Sequence, residues 1–220
     1  MTQRTRIKLC GLSRPQDVQA AAQAGADAIG LVFYPPSPRH VSAEQAANLL
    51  AELPPFMSSV GLFVNASLDE IKQVLRFAPL SMLQFHGDET PAQCALAAET
   101  VSRPFLRAIR IRPDTTSQDL LESAQSYRAS SPLFAGLLLD TWSDAYGGTG
   151  KVFDWSLIPE EIAHQAVLSG GLNVQNVTDA VRSLRPLAVD VSSGIESSKG
   201  IKDAALMHAF VDAVRAGDNH

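Results

Sequence analysis

Residues 7–33, IKLCGLSRPQDVQAAAQAGADAIGLVF, decide the fold. They contain an apolar run (Ile7 to Leu9), a turn, a segment with apolar residues at helical spacing (Pro15 to Ala24) and a second apolar run (Ala28 to Phe33). That is one βα unit and the strand that follows it. The rhythm continues to the end of the chain. Further strands are predicted at Ser59 to Val64, Met82 to Phe85, Phe105 to Ile109, Gly136 to Leu139, Ala166 to Leu168 and Leu187 to Val191, which makes eight. Helices are predicted at Ala43 to Glu52, Leu68 to Phe77, Ala92 to Thr100, Ser117 to Tyr127, Val174 to Leu184 and from about Lys202 to Arg215. Ser13 or Arg14 before Pro15, Ser42, Ser67, and Thr90 before Pro91 stand where capping oxygens or a first-turn proline start helices.

Most of the strands are continuous apolar runs rather than alternating ones, as expected when helices cover the outside of a sheet with a packed interior. Eight repeats favour an α/β fold of the single (β/α)8 TIM-barrel type. An open doubly wound sheet is the alternative, but no Gly-x-Gly-x-x-Gly follows the first strand. The sixth unit is the weakest, because Asp154 to Ile158 leaves room for only a short helix. A chain of 220 residues suits one barrel domain over 1–220, with frayed ends such as Gly217 to His220.

Charge and composition narrow the partners. A net charge of -5 gives no extended basic surface for nucleic acid, although a few local cations and oriented N–H groups can still bind a small anion. No apolar stretch approaches the roughly 20 residues of a membrane span. The polar start, Met1 to Arg6, lacks a following hydrophobic region, so a cytoplasmic protein is expected. Cys10 and Cys94 form neither a disulfide framework nor a zinc pattern. Monomer and homodimer both remain open.

In such a barrel, chemistry belongs at the C-terminal ends of the strands. Cys10 closes the first strand, Arg39 follows the second, His86 and Gly87 close the fourth, and Asp140 closes the sixth. Ser169-Gly170-Gly171 follows the seventh strand and Ser192-Ser193-Gly194 the eighth. Loops after those last two strands commonly hold phosphate, since glycine lets backbone N–H groups approach and serine adds donors. Each turn alone is also a plain tight connection; the pair, at those two strands, favours phosphate. Gly147-Gly148-Thr149-Gly150-Lys151 is not a nucleotide loop, because Ala145 and Val152 break the pattern. A mobile cover over the site is the alternative for that segment.

Cys10 is either a small buried hydrophobe or a functional thiol. Asp140, at the end of an apolar strand, is either a hydrogen-bonding loop group or a carboxyl kept protonated for acid catalysis. The planar fork of Arg39 suits a carboxylate ligand, with a solvated loop arginine as the alternative. His86 orients the fourth loop. Cys94, inside a helix, is structural.

Read in order, Lys8-Leu9-Cys10-Gly11, Ser37-Pro38-Arg39, Gln84-Phe85-His86-Gly87, Leu139-Asp140 with Gly147 to Gly150 and Phe153-Asp154-Trp155, Ser169-Gly170-Gly171-Leu172, and Val189 to Glu196 resemble the successive signatures of phosphoribosylanthranilate isomerases. The resemblance spans nearly the whole chain. It departs at Val174, where that family often has proline, and around Ser198-Lys199, near its usual proline-glycine turn. It implies a cofactor-free and metal-free Amadori rearrangement of a phosphoribosyl substrate in tryptophan biosynthesis, with Asp140 as general acid and Cys10 as general base. Arg39 would then hold the anthranilate carboxylate, and Gly170, Gly171, Ser192, Ser193 and Gly194 the phosphate. Two rivals differ in class. The related histidine-pathway isomerase resembles a family with aspartate where Cys10 stands, and a noncatalytic phosphosugar-binding barrel would need neither Cys10 nor Asp140.

Overall fold

The computed structural model describes residues 4–141 and 154–219. Eight parallel strands pair in chain order and close on themselves, β8 returning to β1. The first half comprises β1 (Arg6–Cys10), α1 (Pro15–Ala24), β2 (Ala28–Val32), α2 (Ala43–Ala51), β3 (Ser58–Phe63), α3 (Leu68–Phe77), β4 (Met82–Phe85) and α4 (Pro91–Val101). The second comprises β5 (Phe105–Ile111), α5 (Ser117–Ser130), β6 (Phe134–Thr141), α6 (Glu160–Ala163), β7 (Val167–Leu168), α7 (Val177–Leu184) and β8 (Ala188–Val191). A short hairpin, β9 (Glu196–Ser198) and β10 (Ile201–Lys202), precedes the closing helix α8 (Ala204–Asp218).

Helix starts follow the expected chemistry. Ser42, Ser67, Thr90 and Thr116 each accept the N–H three residues on, and the side chain there returns to the cap's own N–H. At α1 the first-turn proline acts alone, since Arg14 makes no side-chain cap. The expected helix from Val174 begins later, at Val177. The Asn176 side chain accepts the N–H of Asn173 and donates to the carbonyl of Gly171, which holds 173–176 in a loop. Likewise α8 starts after Lys202, which lies in β10, and Asp203 caps it by accepting the N–H of Leu206. The sixth unit is short, as expected: a 3-10 turn at Trp155–Leu157 and the four residues of α6. Gly217 and Asp218 belong to α8 rather than to a frayed tail. The Asp218 carboxylate accepts the N–H of Thr5, which fastens the helix across the start of β1.

Strand alternation sorts the core into two shells. Outward residues such as Ile7, Leu9, Leu83, Phe85, Leu137 and Leu139 join the large cluster under the helices. A smaller separate cluster, Leu106, Ala108, Leu138, Val167 and Ala188, fills the barrel itself. Above it the interior turns polar, with Lys8, Gln84 and Asp190 all buried. The apolar appearance of the strands in sequence hid that layer, because the polar residues are single insertions in hydrophobic runs. Burying them is tolerable only with hydrogen-bond partners, and those partners build the rim.

Candidate active site

The C-terminal rim surrounds a cleft of about 680 Å3, counting its open mouth, to which Cys10, Arg39, His86, Asp140, Gly170, Gly171, Ser192 and Ser193 all contribute. Six separate strand ends therefore bring the predicted residues together. Gly194 stands one step back: a Cβ there would fall inside the radius of the Leu172 carbonyl oxygen, so this glycine lets the turns after β7 and β8 touch. The segment Gly147 to Gly150, with Phe153, lies outside the described residues.

Cys10 is 4% exposed at the end of β1. Its sulfur backs onto Gly30 of β2, where a Cβ would come within 2.5 Å of Sγ and 3.0 Å of Lys8 Nζ. Two residues earlier on the same face, the Lys8 ammonium donates to Asp190 Oδ1 at 2.6 Å, an ion pair sealed inside the barrel. Burial pushes the Cys10 thiol above its ordinary pKa. Lys8 opposes this with its charge and a hydrogen bond, Asp190 adds to it, and Lys202 opposes it from further away. The Lys8 pKa is itself raised: burial works against its charge, and Asp190 and Cys10 outweigh burial. Cys10 thus sits beside a fixed cation that opposes the effect of burial with both its charge and a hydrogen bond. Cys94 is fully buried in α4, and burial pushes its pKa up to about 12.

Asp140, at the end of β6, lines the same cleft as Cys10. Its Oδ2 lies 3.1 Å from His86 Nε2, and His86 Nδ1 lies 3.0 Å from Gln84 Nε2. His86 is therefore tied directly to the carboxyl group as well as closing the fourth strand. The loop that carries it is clamped from behind. Arg107 on β5 donates to the carbonyls of Phe85 and Gly87 and to Glu89, and the Glu89 carboxylate accepts the N–H groups of Gly87 and Asn65.

Arg39 is 8% exposed, not solvated. Its Nε and Nη2 donate to the two carboxylate oxygens of Glu196 at 2.7 and 2.9 Å. Gly11, at φ +76°, leaves room for its side chain, because a Cβ there would come within 2.5 Å of Arg39 Cδ. One edge of the guanidinium is thereby spent, while Nη1 and the second Nη2 hydrogen have no acceptor among the described residues. Glu196 also accepts from Lys202 at 2.8 Å, and Lys202 donates to the carbonyl of Ser192 at 2.9 Å. Burial raises the Glu196 pKa, but the hydrogen bonds from Arg39 and Lys202 outweigh it and hold Glu196 below its usual value. The β9–β10 hairpin therefore locks both Arg39 and the turn after β8.

The turn after β7 is glycine-dependent. Gly170 and Gly171 adopt φ of 82° and 70°. Among the described residues their N–H groups have no acceptor. Gly171's carbonyl is held by the side-chain amides of Asn173 and Asn176. Ser193 and Gly194 open a 3-10 turn, Ser193–Ile195, on the other side of the same corner. Among the described residues no three His, Cys, Asp or Glu side chains converge as a metal site. Sequence reading missed Lys8, Gln84, Asp190, Glu196 and Lys202 as parts of the site. Charged and amide residues inside apolar runs were the available signal.

A closed parallel barrel with a thiol and a carboxyl lining one cleft at its C-terminal rim defines a (β/α)8-barrel enzyme. The family model described as N-(5'phosphoribosyl)anthranilate (PRA) isomerase matches residues 7–213, and the chain belongs to that family. It is 61% identical over 218 residues to the N-(5'-phosphoribosyl)anthranilate isomerase of Herminiimonas arsenicoxydans, covering 99% of this chain and 96% of that one. Among solved structures, it resembles the phosphoribosyl anthranilate isomerase of Thermotoga maritima with a TM-score of 0.84 at 40% identity, covering 96% of this chain and 98% of that one. It also resembles a phosphoribosyl anthranilate isomerase in complex with reduced 1-(o-carboxyphenylamino)-1-deoxyribulose 5-phosphate, with a TM-score of 0.80 at 37% identity over 96% and 98% of the two chains.

Proposed function

We propose that the chain converts N-(5'-phosphoribosyl)anthranilate to 1-(2-carboxyphenylamino)-1-deoxyribulose 5-phosphate, with Asp140 as general acid and Cys10 as general base. The observation that carries the reading is that these two groups line one cleft, with Arg39 and the glycine turns after β7 and β8 alongside. Asp140 gives its proton to the furanose ring oxygen. The ring C1'–O bond breaks as the nitrogen lone pair moves in, leaving an open-chain iminium. Cys10, as thiolate, removes the C2' proton, and the electron pair flows to the iminium nitrogen to form an enolamine. That species loses its hydroxyl proton and gains one at C1', which gives the ketone. Protons given and taken balance, and returning one from Cys10 to Asp140 through solvent resets the site. The iminium accepts the electron pair, so the steps call on the protein's own acid and base.

The supporting residues follow from the geometry. Lys8 stabilises the thiolate in the barrel interior, where a fixed cation acts more strongly than in water. The free edge of Arg39 suits the anthranilate carboxylate. The N–H groups of Gly170 and Gly171 and the serines after β8 suit the phosphate. The test is the decay of anthranilate fluorescence with freshly generated substrate, corrected for spontaneous hydrolysis and confirmed by isolating the ketose. Folded chain that binds the reduced product analogue without turnover would refute the catalytic reading.

A further inference from the structure

We infer that Gln84 and His86 form a two-state hydrogen-bond relay whose orientation follows the proton count of Asp140, which makes Gln84 a positioning residue for acid catalysis. The inference rests on Asp140 as general acid. Its starting point is a mismatch inside the barrel: Gln84 is fully buried, its Nε2 meets His86 Nδ1 at 3.0 Å, and its Oε1 has no partner among the described residues. Buried amide oxygens are rarely left unpaired.

Donor and acceptor rules fix what each state requires. An amide nitrogen only donates, so in the observed orientation His86 Nδ1 accepts and a neutral ring carries its hydrogen on Nε2. Nε2 then donates to Asp140 Oδ2 at 3.1 Å, which leaves that oxygen without a proton. Acid catalysis starts one proton earlier. The relay places that proton on the Oδ2–Nε2 bridge rather than on Oδ1: either Asp140 Oδ2 donates to Nε2 or the ring is doubly protonated beside the carboxylate, and in both cases Nδ1 carries a hydrogen. That hydrogen needs an acceptor. A half-turn of the Gln84 amide supplies Oε1 at the same place, and because oxygen and nitrogen are nearly equal in size it requires no extra room. The unpaired Oε1 is therefore the acceptor of the second state, idle in the first.

Other charged groups surround the relay but leave its geometry intact. On β5, Arg107 is bound to the loop carbonyls and Glu89, and Arg110 to Asp88. Cys10 and Asp190 line the same cleft, Asp190 paired with Lys8, and Arg39 is bound to Glu196. Gln84 and Asp140 therefore remain the direct hydrogen-bond partners of the His86 ring among the described residues.

The decisive measurement is the tautomer of His86 across pH in the full chain, read from long-range proton–nitrogen NMR correlations and assigned with His86→Asn. The relay predicts Nε2–H at high pH and a protonated Nδ1 as pH falls into the acid-active range. A ring that keeps Nδ1 bare wherever the enzyme turns over overturns it. Gln84→Met, which fills the space without donor or acceptor, should lower kcat roughly tenfold or more, displace the pH profile of kcat and leave KM unmoved. Wild-type kcat and pH profile in that variant also overturn the relay. Asp140→Asn separates the two claims: if it is active, the general-acid assignment falls and the relay with it, whereas an inactive Asp140→Asn beside a wild-type-like Gln84→Met sinks the relay alone. Should Gln84→Met fail to bind the reduced product analogue, the His86 tautomer in the unmodified chain decides.

Discussion

At one set of strand ends, those of β1, β4 and β6, reactive side chains are held by buried polar partners; at the other, after β7 and β8, bare backbone is held in place by leaving side chains out. Cys10 has Lys8 and Asp140 has His86, each within an apolar barrel that makes the partner necessary. The turns have Gly170, Gly171 and Gly194, where added Cβ atoms would strike neighbouring backbone or a strained φ would have to be adopted. The two constructions suit two tasks. Proton transfer needs groups whose charge can change, whereas holding an anion of constant charge needs donors that never titrate. Substitutions in the first set should therefore lower kcat, and substitutions in the second should raise KM.

The largest effects test the reactive set. Asp140→Asn and Cys10→Ser should each reduce kcat by about 10² to 10⁴, the usual contribution of one acid–base group. Affinity for the reduced product analogue, measured by calorimetry, should stay close to wild type. A variant that loses binding and keeps kcat would erase the distinction between the two sets.

Gly194→Ala tests the other set and should be next in size. Its methyl group must push the turn after β8 away from the Leu172 carbonyl. Overpacking of this kind costs about 1–3 kcal/mol, roughly five- to 150-fold if it falls wholly on binding. The loss should fall mainly on KM and on competition by inorganic phosphate. A drop confined to kcat would mean that the turn positions the reacting atoms rather than the anion.

A smaller effect concerns the resting thiol. Because burial raises the Cys10 pKa above its ordinary 9.0, its thiolate fraction in the free enzyme keeps growing with pH beyond that value instead of levelling off. Alkylation by iodoacetamide, followed by peptide mapping, should therefore accelerate about tenfold per pH unit through pH 9. Lys8→Met removes the cation that opposes burial, so the curve should move to still higher pH. A rate that plateaus near neutrality would show that Cys10 rests as thiolate and that Lys8 outweighs burial.

The two sets also differed in how openly the sequence displayed them. Glycine and serine clusters after β7 and β8 announce themselves locally, and so do Cys10 and Asp140 as polar residues ending apolar runs. Barrel closure was legible because each βα unit repeats a local pattern. The supporting groups were hidden by distance along the chain: 182 residues separate Lys8 from Asp190, and 157 separate Arg39 from Glu196. A single lysine or glutamine in an apolar strand has no visible partner until the strands are set side by side. The delayed start of α7 escaped for a related reason, since it depends on Asn176 reaching back to Gly171 rather than on helical propensity.

If both parts of the rim are held by the strand ends and the loops that follow them, helix ends far from the rim should matter for stability and not for turnover. Ser67 offers the sharpest case. It caps α3, accepting the N–H of Glu70 while the Glu70 carboxylate accepts the N–H of Ser67, and it takes no part in the cleft. Ser67→Ala should cost about 1 kcal/mol, which in a chain of this size lowers Tm by roughly 2–4 °C. Both kcat and KM should match wild type at 25 °C, where the enzyme remains folded. A change in either constant, with the folded fraction unchanged, would mean that α3 transmits strain to the rim through Asn65, whose side chain accepts the N–H of Asp88 beside His86. The two-part account would then have to include the outer helices.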